Sequence, residues 1–171
     1  MLASRHPDSL SRLMVVDVGP FTGEALGPPG TTPESIGPVA DAFVGQFTGR
    51  DAAGWRRQGQ VTINGMIDTV VKRDGALQDW VTSEPDVIAR ALHEAFVTDL
   101  GPELPRITVP TLVLYVTMKP NQLTDQQTDA VYQAAYKPVN RVVLKHIPAS
   151  AHFIMWDQPD LFREEVVAFL G

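Results

Sequence analysis

Three short apolar runs rich in β-branched residues divide the chain. They cover Arg12–Asp17, Ile107–Val116 and Arg141–Ile147. Continuous apolar runs of this length are typical of strands that are buried on both faces of a parallel sheet. The first run ends at Gly19-Pro20, and Pro110 stands at the entrance of the second, where no ladder donor is needed. The pattern therefore predicts three buried strands.

Helical periodicity predicts two helices around the third strand. The first helix is predicted over Leu123–Lys137. Its N-cap is Thr124, and Gln127, three residues later, is the capping-box partner. The last helix opens at Pro159. Three apolar residues of the first of these helices are expected to face inward: Val131, Ala134 and Ala135.

The stretch 21–106 differs from the rest because it has amphipathic segments but no strong strand signal. Thr32-Pro33 predicts the start of one helix, and another is expected from Glu84. A middle helix over roughly 51–71 is weakened by three glycines, each of which costs up to about 1 kcal/mol relative to alanine. The stretch is predicted to be a helical insert.

Composition excludes several classes of function. Apolar residues make up 44% and charged residues 20% of the chain, as in ordinary globular proteins. The net charge of −6, without a Lys/Arg cluster, disfavours nucleic acid as a partner. The absence of cysteine excludes disulfides, thiolate metal sites and a cysteine nucleophile. Met1–Arg12 does not read as a signal peptide and no apolar run could span a membrane, so we expect a soluble protein, cytoplasmic by default.

The order of elements and two local sequences carry a resemblance to a known family. Val109–Tyr115 is similar to the penultimate strand of α/β-hydrolases, and Ser150-Ala-His152-Phe153 followed by Asp157-Gln-Pro159 is similar to their histidine loop and closing helix. Arg5-His-Pro7 looks like the end of the helix that follows the nucleophile. The chain thus resembles the C-terminal part of an α/β-hydrolase.

The resemblance implies an α/β fold with a three-stranded parallel sheet, flanking helices and a helical cap insertion. Residues 1–20 and 107–171 would form the C-terminal half of the hydrolase core, and 21–106 would form the cap or lid. No cofactor and no metal are implied. A metal site built from His146, His152 and Asp157 is the remaining alternative, but their spacing fits no recognised zinc pattern.

The resemblance also implies a catalytic base and acid. His152 would take a proton from a serine hydroxyl and return it to the leaving alcohol. The family's usual acid position, near Val116–Asn121, contains no carboxylate. In some members the acid follows the preceding strand, and Asp17 occupies that place; Asp125 is the second candidate. For Asp17 a structural role at the strand end is an equal alternative.

The nucleophile of the family is not in this sequence. Its Gly-x-Ser-x-Gly pentapeptide occurs nowhere in the chain. Ser35, in Glu34-Ser-Ile-Gly37, is the nearest partial match, but it falls at a predicted helix start and is expected to have a capping or solvated role. The resemblance places the serine before Met1, so the sequence is either a piece of a longer protein or a natural half-protein.

Two functions follow from these features. The first is a serine hydrolase of small carboxylic esters whose nucleophile lies outside this chain, with Phe21, Phe153 and Trp156 as candidate substrate-binding residues. The second is an inactive remnant that serves as a self-associating interaction module. In both cases the strand near Leu13–Val16 would keep an unpaired apolar edge, which predicts a homodimer that joins two such edges.

Overall fold

A computed structural model describes residues 1–28, 30–119 and 123–171. These residues form two compact units. The first unit comprises Met1–Pro20, Gly65–Val70 and Gly101–Gly171, and the second comprises Phe21–Asn64 and Val71–Leu100. The segments 65–70 and 101–106, which the sequence analysis assigned to the insert, therefore pack within the first unit.

The first unit contains a parallel sheet of three strands. These are β1 (Leu13–Val16), β2 (Thr111–Tyr115) and β3 (Val142–His146), in the order β1-β2-β3. Leu13 pairs with Thr111, and Thr111 pairs with Val142. All three strands were predicted, and the expected three-stranded parallel sheet with flanking helices is confirmed.

Helices account for most of the remaining described residues. Short 3₁₀ turns occur at 7–9, 22–26, 45–47 and 101–106. None of the helices that the described residues form is long and apolar enough to cross a membrane. In chain order the α-helices are α1 (Leu2–Arg5), α2 (Pro33–Val44), α3 (Ala52–Met66), α4 (Val70–Thr82), α5 (Pro85–Val97), α6 (Asp125–Tyr136), α7 (Ile154–Asp157) and α8 (Pro159–Leu170).

The central strand β2 is buried on both faces, as its continuous apolar sequence predicts. Side chains alternate along a strand, so odd and even residues enter different cores. Val113 and Tyr115 belong to a cluster with Tyr136 of α6, whereas Leu112 and Leu114 belong to one with Ile154 of α7. The sheet is therefore covered on each side, and its strand ends are fixed in position.

Helix α6 begins as predicted but presents a different face. Thr124 and Gln127 form the expected capping box, with the N–H of Gln127 3.2 Å from Thr124 Oγ1. The inward orientation of Val131 and Ala134 is wrong, because both are exposed, Val131 to 53%, whereas Ala135 packs against the core as predicted. The buried face is instead built on Thr128, Tyr132 and Tyr136, at steps of four. The tyrosine face of α6 is buried instead of the Val131 face because the tyrosine rings fill the core while their hydroxyls reach polar partners there.

The middle helix predicted over 51–71 is in fact two helices. Helix α3 ends at Met66 and α4 begins at Val70. Between them, the backbone N–H groups of Asp68 and Thr69 donate to the Asp157 carboxylate, at 3.0 and 2.7 Å. A distant side chain therefore satisfies the donors at the start of α4, and no local sequence pattern reports such a contact.

The second unit has an aromatic core in which two tryptophans exchange hydrogen bonds. The rings of Trp55 and Trp80 stack with centroids 4.6 Å apart. Each indole N–H donates to the backbone carbonyl of the other residue, at 3.1 Å in both cases. Phe47 is buried in the same cluster. This reciprocal pair joins α3 to α4.

Gly59→Ala is expected to destabilise the protein because this glycine lies directly under the Trp80 ring. A Cβ at Gly59 would come within 2.4 Å of Trp80 Cδ1. Relief of such an overlap costs about 1–3 kcal/mol. Gly65→Ala, in the same helix and with nothing within 4 Å of its Cβ position, is the matched control and should raise stability by up to about 1 kcal/mol. Urea denaturation compares the two; equal effects of the same sign would contradict the packing argument.

Candidate active site

Asp17 and His152 meet at the C-terminal edge of the sheet. Asp17 directly follows β1, and His152 lies in the loop after β3. Because parallel strands end at the same edge, residues far apart in the sequence come together there. The Nδ1 atom of His152 lies 2.9 Å from Asp17 Oδ2. The structure thus places side by side the two residues that the sequence analysis named as base and acid.

The Asp17 carboxylate is enclosed by hydrogen-bond donors. Its side chain is only 4% exposed. Oδ1 accepts from the backbone N–H of Val116 and from the hydroxyl of Tyr132, both at 3.1 Å. The residue has a φ of 50°, in the left-handed region, and its own N–H donates to the Leu114 carbonyl at 2.7 Å. The turn therefore directs Oδ1 to these two donors and Oδ2 to His152.

This arrangement assigns the proton of the imidazole. An ionised carboxylate only accepts hydrogen bonds, so in the neutral imidazole of His152 Nδ1 carries the proton and Nε2 carries the lone pair. The His152 side chain is 36% exposed. The imidazole is therefore oriented as the base of a catalytic triad is oriented, with Nε2 as the atom that can accept a proton.

The residues on either side of His152 are held through their backbone N–H groups. Ala151 donates to the Asp157 carboxylate at 2.9 Å, and Phe153 donates to the Met66 carbonyl at 3.2 Å. Ala149 has a φ of 53°, a conformation that costs roughly 1–2 kcal/mol for a residue other than glycine. A strained loop that is anchored on both sides of a reactive group is typical of functional sites.

Asp157 organises this loop as an ionised group. Burial opposes its charge, but the N–H groups of Asp68, Ala151 and Thr69 donate to it and outweigh burial, so its pKa is lowered. The same carboxylate thus holds the histidine loop and the start of α4.

Of the three candidate substrate-binding residues, Phe153 contacts the imidazole and Trp156 contacts Phe153. The Phe153 ring meets the His152 ring edge-on, with centroids 5.2 Å apart. It stacks on Trp156 at 4.8 Å. Both are partly exposed. Phe21 belongs to the second unit, where its ring lies against Gly23.

The other candidates named from the sequence have different surroundings. Asp125 opens α6 and lies 3.8 Å from Nε2 of His146, which also contacts Thr117 Oγ1 at 3.1 Å. Asn121, at the family's usual acid position, lies outside the described residues. His146, His152 and Asp157 each have separate partners, and over the described part of the chain no three His, Asp or Glu residues are grouped to hold a metal. Ser35 caps α2 together with Thr32, which is one of the two roles expected for it.

Tyr132 was not predicted from the sequence, and Asp157 was predicted only as part of the histidine-loop resemblance and as a possible metal ligand. The steps of four from Thr128 to Tyr132 and Tyr136 are the one local signal that could have placed Tyr132 on the buried face.

Comparison with known proteins finds the fold but no relative at the sequence level. No family model matches the sequence, and no curated protein matches it. The enol-lactonase from Burkholderia xenovorans LB400 is similar in structure, with a TM-score of 0.74 and 18% identity. The esterase from Thermogutta terrifontis matches with a TM-score of 0.66 and 19% identity. An alpha/beta hydrolase enzyme from a Medee basin deep-sea metagenome library matches with a TM-score of 0.64 and 20% identity.

The structural similarity covers nearly all of this chain but little more than half of each of the three similar proteins. The enol-lactonase match covers 99% of this chain and 59% of that protein. The corresponding shares are 98% and 58% for the esterase and 99% and 59% for the metagenomic enzyme. The chain therefore has a partial α/β-hydrolase fold.

Proposed function

We propose that this chain supplies the base, the acid and part of the substrate site of a serine hydrolase that cleaves carboxylic esters. The observation that carries the proposal is the hydrogen bond between His152 and the buried Asp17 at the C-terminal edge of a parallel sheet. Open α/β sheets bind ligands at this edge. The proposed nucleophile is a serine outside this sequence.

In the proposed reaction His152 transfers one proton in each direction. The serine hydroxyl loses its proton to Nε2 as its oxygen bonds to the ester carbonyl carbon. The imidazolium then gives that proton to the departing alkoxide, which leaves as an alcohol and yields an acyl-serine. Water then attacks the acyl-serine with the same two proton transfers through His152. The carboxylic acid product is released and the serine is regenerated. Asp17 stabilises the imidazolium and keeps Nδ1 protonated throughout.

Phe153 and Trp156 are proposed to contact the apolar part of the ester. The Phe153 ring contacts the imidazole, the Trp156 ring stacks on Phe153, and both remain partly exposed, so together they offer a flat apolar surface that begins at His152. The assignment of Phe21 to the substrate site stays a prediction from the sequence. Two of the similar structures are an enol-lactonase and an esterase, which supports an ester as the substrate class because a lactone is a cyclic ester.

The ester reactivity of His152 tests this proposal. An imidazole with a free, oriented Nε2 lone pair accelerates the hydrolysis of activated esters even without a serine. We expect the chain to release p-nitrophenol from p-nitrophenyl acetate faster than His152→Ala. The matched control is His146→Ala, which should leave the rate unchanged because its Nε2 already contacts Thr117. Equal rates for wild type and His152→Ala would contradict the assignment of the base.

Labelling with a fluorophosphonate tests the location of the nucleophile. We expect no serine within this chain to be modified, because none of its six serines lies in the family's pentapeptide. Peptide mapping would identify any labelled residue. A label on a serine of this chain would overturn the proposal that the nucleophile lies outside it.

One observation favours the second candidate function, a self-associating remnant. Among the described residues, only β2 pairs with β1, which leaves the other side of β1 without a strand. Leu13 and Asp17 donate to β2 at the Pro110 and Leu114 carbonyls. Backbone groups alternate along a strand, so those of the intervening residues Met14 and Val16 point to the open edge. Two copies are proposed to pair there.

Amide exchange distinguishes this candidate from a monomer. In an edge-to-edge dimer the amides of Met14 and Val16 become protected as concentration rises. The amides of Val15 and Asp17, which face β2, are the internal controls and should be protected throughout. Light scattering at high micromolar concentration that gives the monomer mass, with fast exchange at Met14 and Val16, would contradict self-association.

A further inference from the structure

Three tyrosines form a stack beside Asp17. Tyr132 of α6 lies between Tyr115 of β2 and Tyr136, with ring centroids 4.1 and 6.3 Å away. The interplanar angles are 18° and 4°. The three side chains thus share one local environment and differ in where their hydroxyl groups end.

Two of the three hydroxyls end on the turn that carries Asp17. The hydroxyl of Tyr132 donates to Asp17 Oδ1 at 3.1 Å, and that of Tyr136 donates to the Val18 carbonyl at 2.6 Å. The hydroxyl of Tyr115 donates instead to Asp129 Oδ1, at 2.8 Å. Only Tyr132 contacts the carboxylate itself.

The surroundings of the Tyr132 hydroxyl keep it a hydrogen-bond donor. Burial raises the pKa of Tyr132, and the charge of the adjacent Asp17 raises it further. The hydroxyl therefore keeps its proton to a higher pH than a free tyrosine does. Its hydrogen bond to an ionised acceptor belongs to the stronger class of protein hydrogen bonds.

We propose that Tyr132 is a positioning residue that fixes the Asp17 carboxylate so that Oδ2 faces His152. The torsion that turns a carboxylate about its own axis has broad minima, so contacts rather than rotamers must set its orientation. Val116 and Tyr132 together occupy Oδ1 and leave Oδ2 for the imidazole. This role rests on the proposed function, because it matters to the reaction only if His152 is the base.

Tyr132→Phe with Tyr115→Phe as the matched control tests the proposal. Each variant keeps the stacked ring and removes one hydroxyl that donates to an aspartate. Nuclear magnetic resonance measures the exchange of the His152 Nδ1 proton with water. We expect exchange to become about tenfold faster in Tyr132→Phe, the factor that corresponds to about 1.4 kcal/mol. In Tyr115→Phe it should stay at the wild-type rate.

Equal exchange rates in the two variants would overturn the positioning role, because general loosening of the stack affects both. A second pair of variants keeps the hydroxyl, so the proposal can be tested even if Tyr132→Phe does not fold. Replacement of Tyr132 by 3-fluorotyrosine strengthens the donor and should slow exchange of the Nδ1 proton, whereas the same replacement at Tyr115 should not. An unchanged rate with fluorotyrosine at position 132 would also overturn the proposal.

The ester assay separates this inference from the proposed function. If His152→Ala lowers ester reactivity and Tyr132→Phe leaves Nδ1 exchange unchanged, the positioning role alone is wrong. If Tyr132→Phe speeds Nδ1 exchange while His152→Ala has no effect on ester reactivity, Tyr132 does orient the carboxylate, and the assignment of the base is the part that is wrong.

Discussion

Asp17→Asn is expected to move the imidazole proton of His152 from Nδ1 to Nε2 and to abolish its reactivity towards esters. The oxygen of the introduced amide must face the two donors that now meet Oδ1, the N–H of Val116 and the hydroxyl of Tyr132. Its NH₂ group must then face Nδ1 at the former Oδ2 position. Since an NH₂ group donates, Nδ1 has to accept, and Nε2 takes the proton.

An Nε2 that carries a proton cannot act as a base. In a complete triad this change of tautomer lowers turnover about 10⁴-fold. In the present chain we expect ester reactivity to fall to that of His152→Ala. Long-range proton–nitrogen spectra of the imidazole report the tautomer directly. Asp125→Asn, next to His146, is the control and should leave the His152 spectrum unchanged. A protonated Nδ1 in Asp17→Asn would contradict the assigned geometry.

Asp157→Ala is expected to cause the largest loss of stability. It removes the acceptor of three backbone N–H groups, those of Asp68, Thr69 and Ala151. Hydrogen bonds to a charged group contribute about 1.5–3 kcal/mol each, and partial access to water offsets some of that loss, so we expect a decrease of about 2–4 kcal/mol. The loss releases the histidine loop and the start of α4 together.

The contribution of Asp157 also has a defined pH dependence. Its pKa is lowered in the folded protein, and the unfolded value is about 3.9. Stability from this group is therefore fully present above about pH 4 and is lost as the pH falls through the lowered folded value. In Asp157→Asn this part of the acid dependence should disappear.

Urea denaturation over a series of pH values measures both effects. Asp160→Ala is the control, because Asp160 is a neighbouring carboxylate whose side chain is 83% exposed and pairs with Arg163 at the surface. It should change stability by less than about 1 kcal/mol. Similar losses for Asp157→Ala and Asp160→Ala would contradict the anchoring role of Asp157.

Local sequence patterns determined where most elements begin. The apolar runs at Leu13–Val16, Thr111–Tyr115 and Val142–His146 are strands because continuous β-branched sequences favour burial on both faces of a parallel sheet. The capping boxes at Thr32 and Thr124 define helix starts because the donor and the acceptor are three residues apart. Such contacts lie within one turn of helix, so the sequence alone can predict them.

Tertiary contacts determined what short-range patterns could not. Immediately before α4, which starts at Val70, the N–H of Thr69 donates to a carboxylate 88 residues away in the chain. The inward face of α6 follows its tyrosines rather than Val131 because their hydroxyls reach Asp17 and Val18. In each case the two partners lie far apart in the sequence, so local periodicity could at most suggest which face of α6 is buried and could not identify the partner groups.

The candidate site shows the same division. The sequence by itself determined the three strands, the histidine loop after the third and the aspartate after the first. Only the tertiary structure decided that Nδ1 of His152 faces Asp17 Oδ2 and that Tyr132 and Val116 occupy Oδ1. The physical reason is that a parallel sheet brings strand ends together across more than a hundred residues, whereas the orientation of a carboxylate depends on donors that only the folded chain assembles.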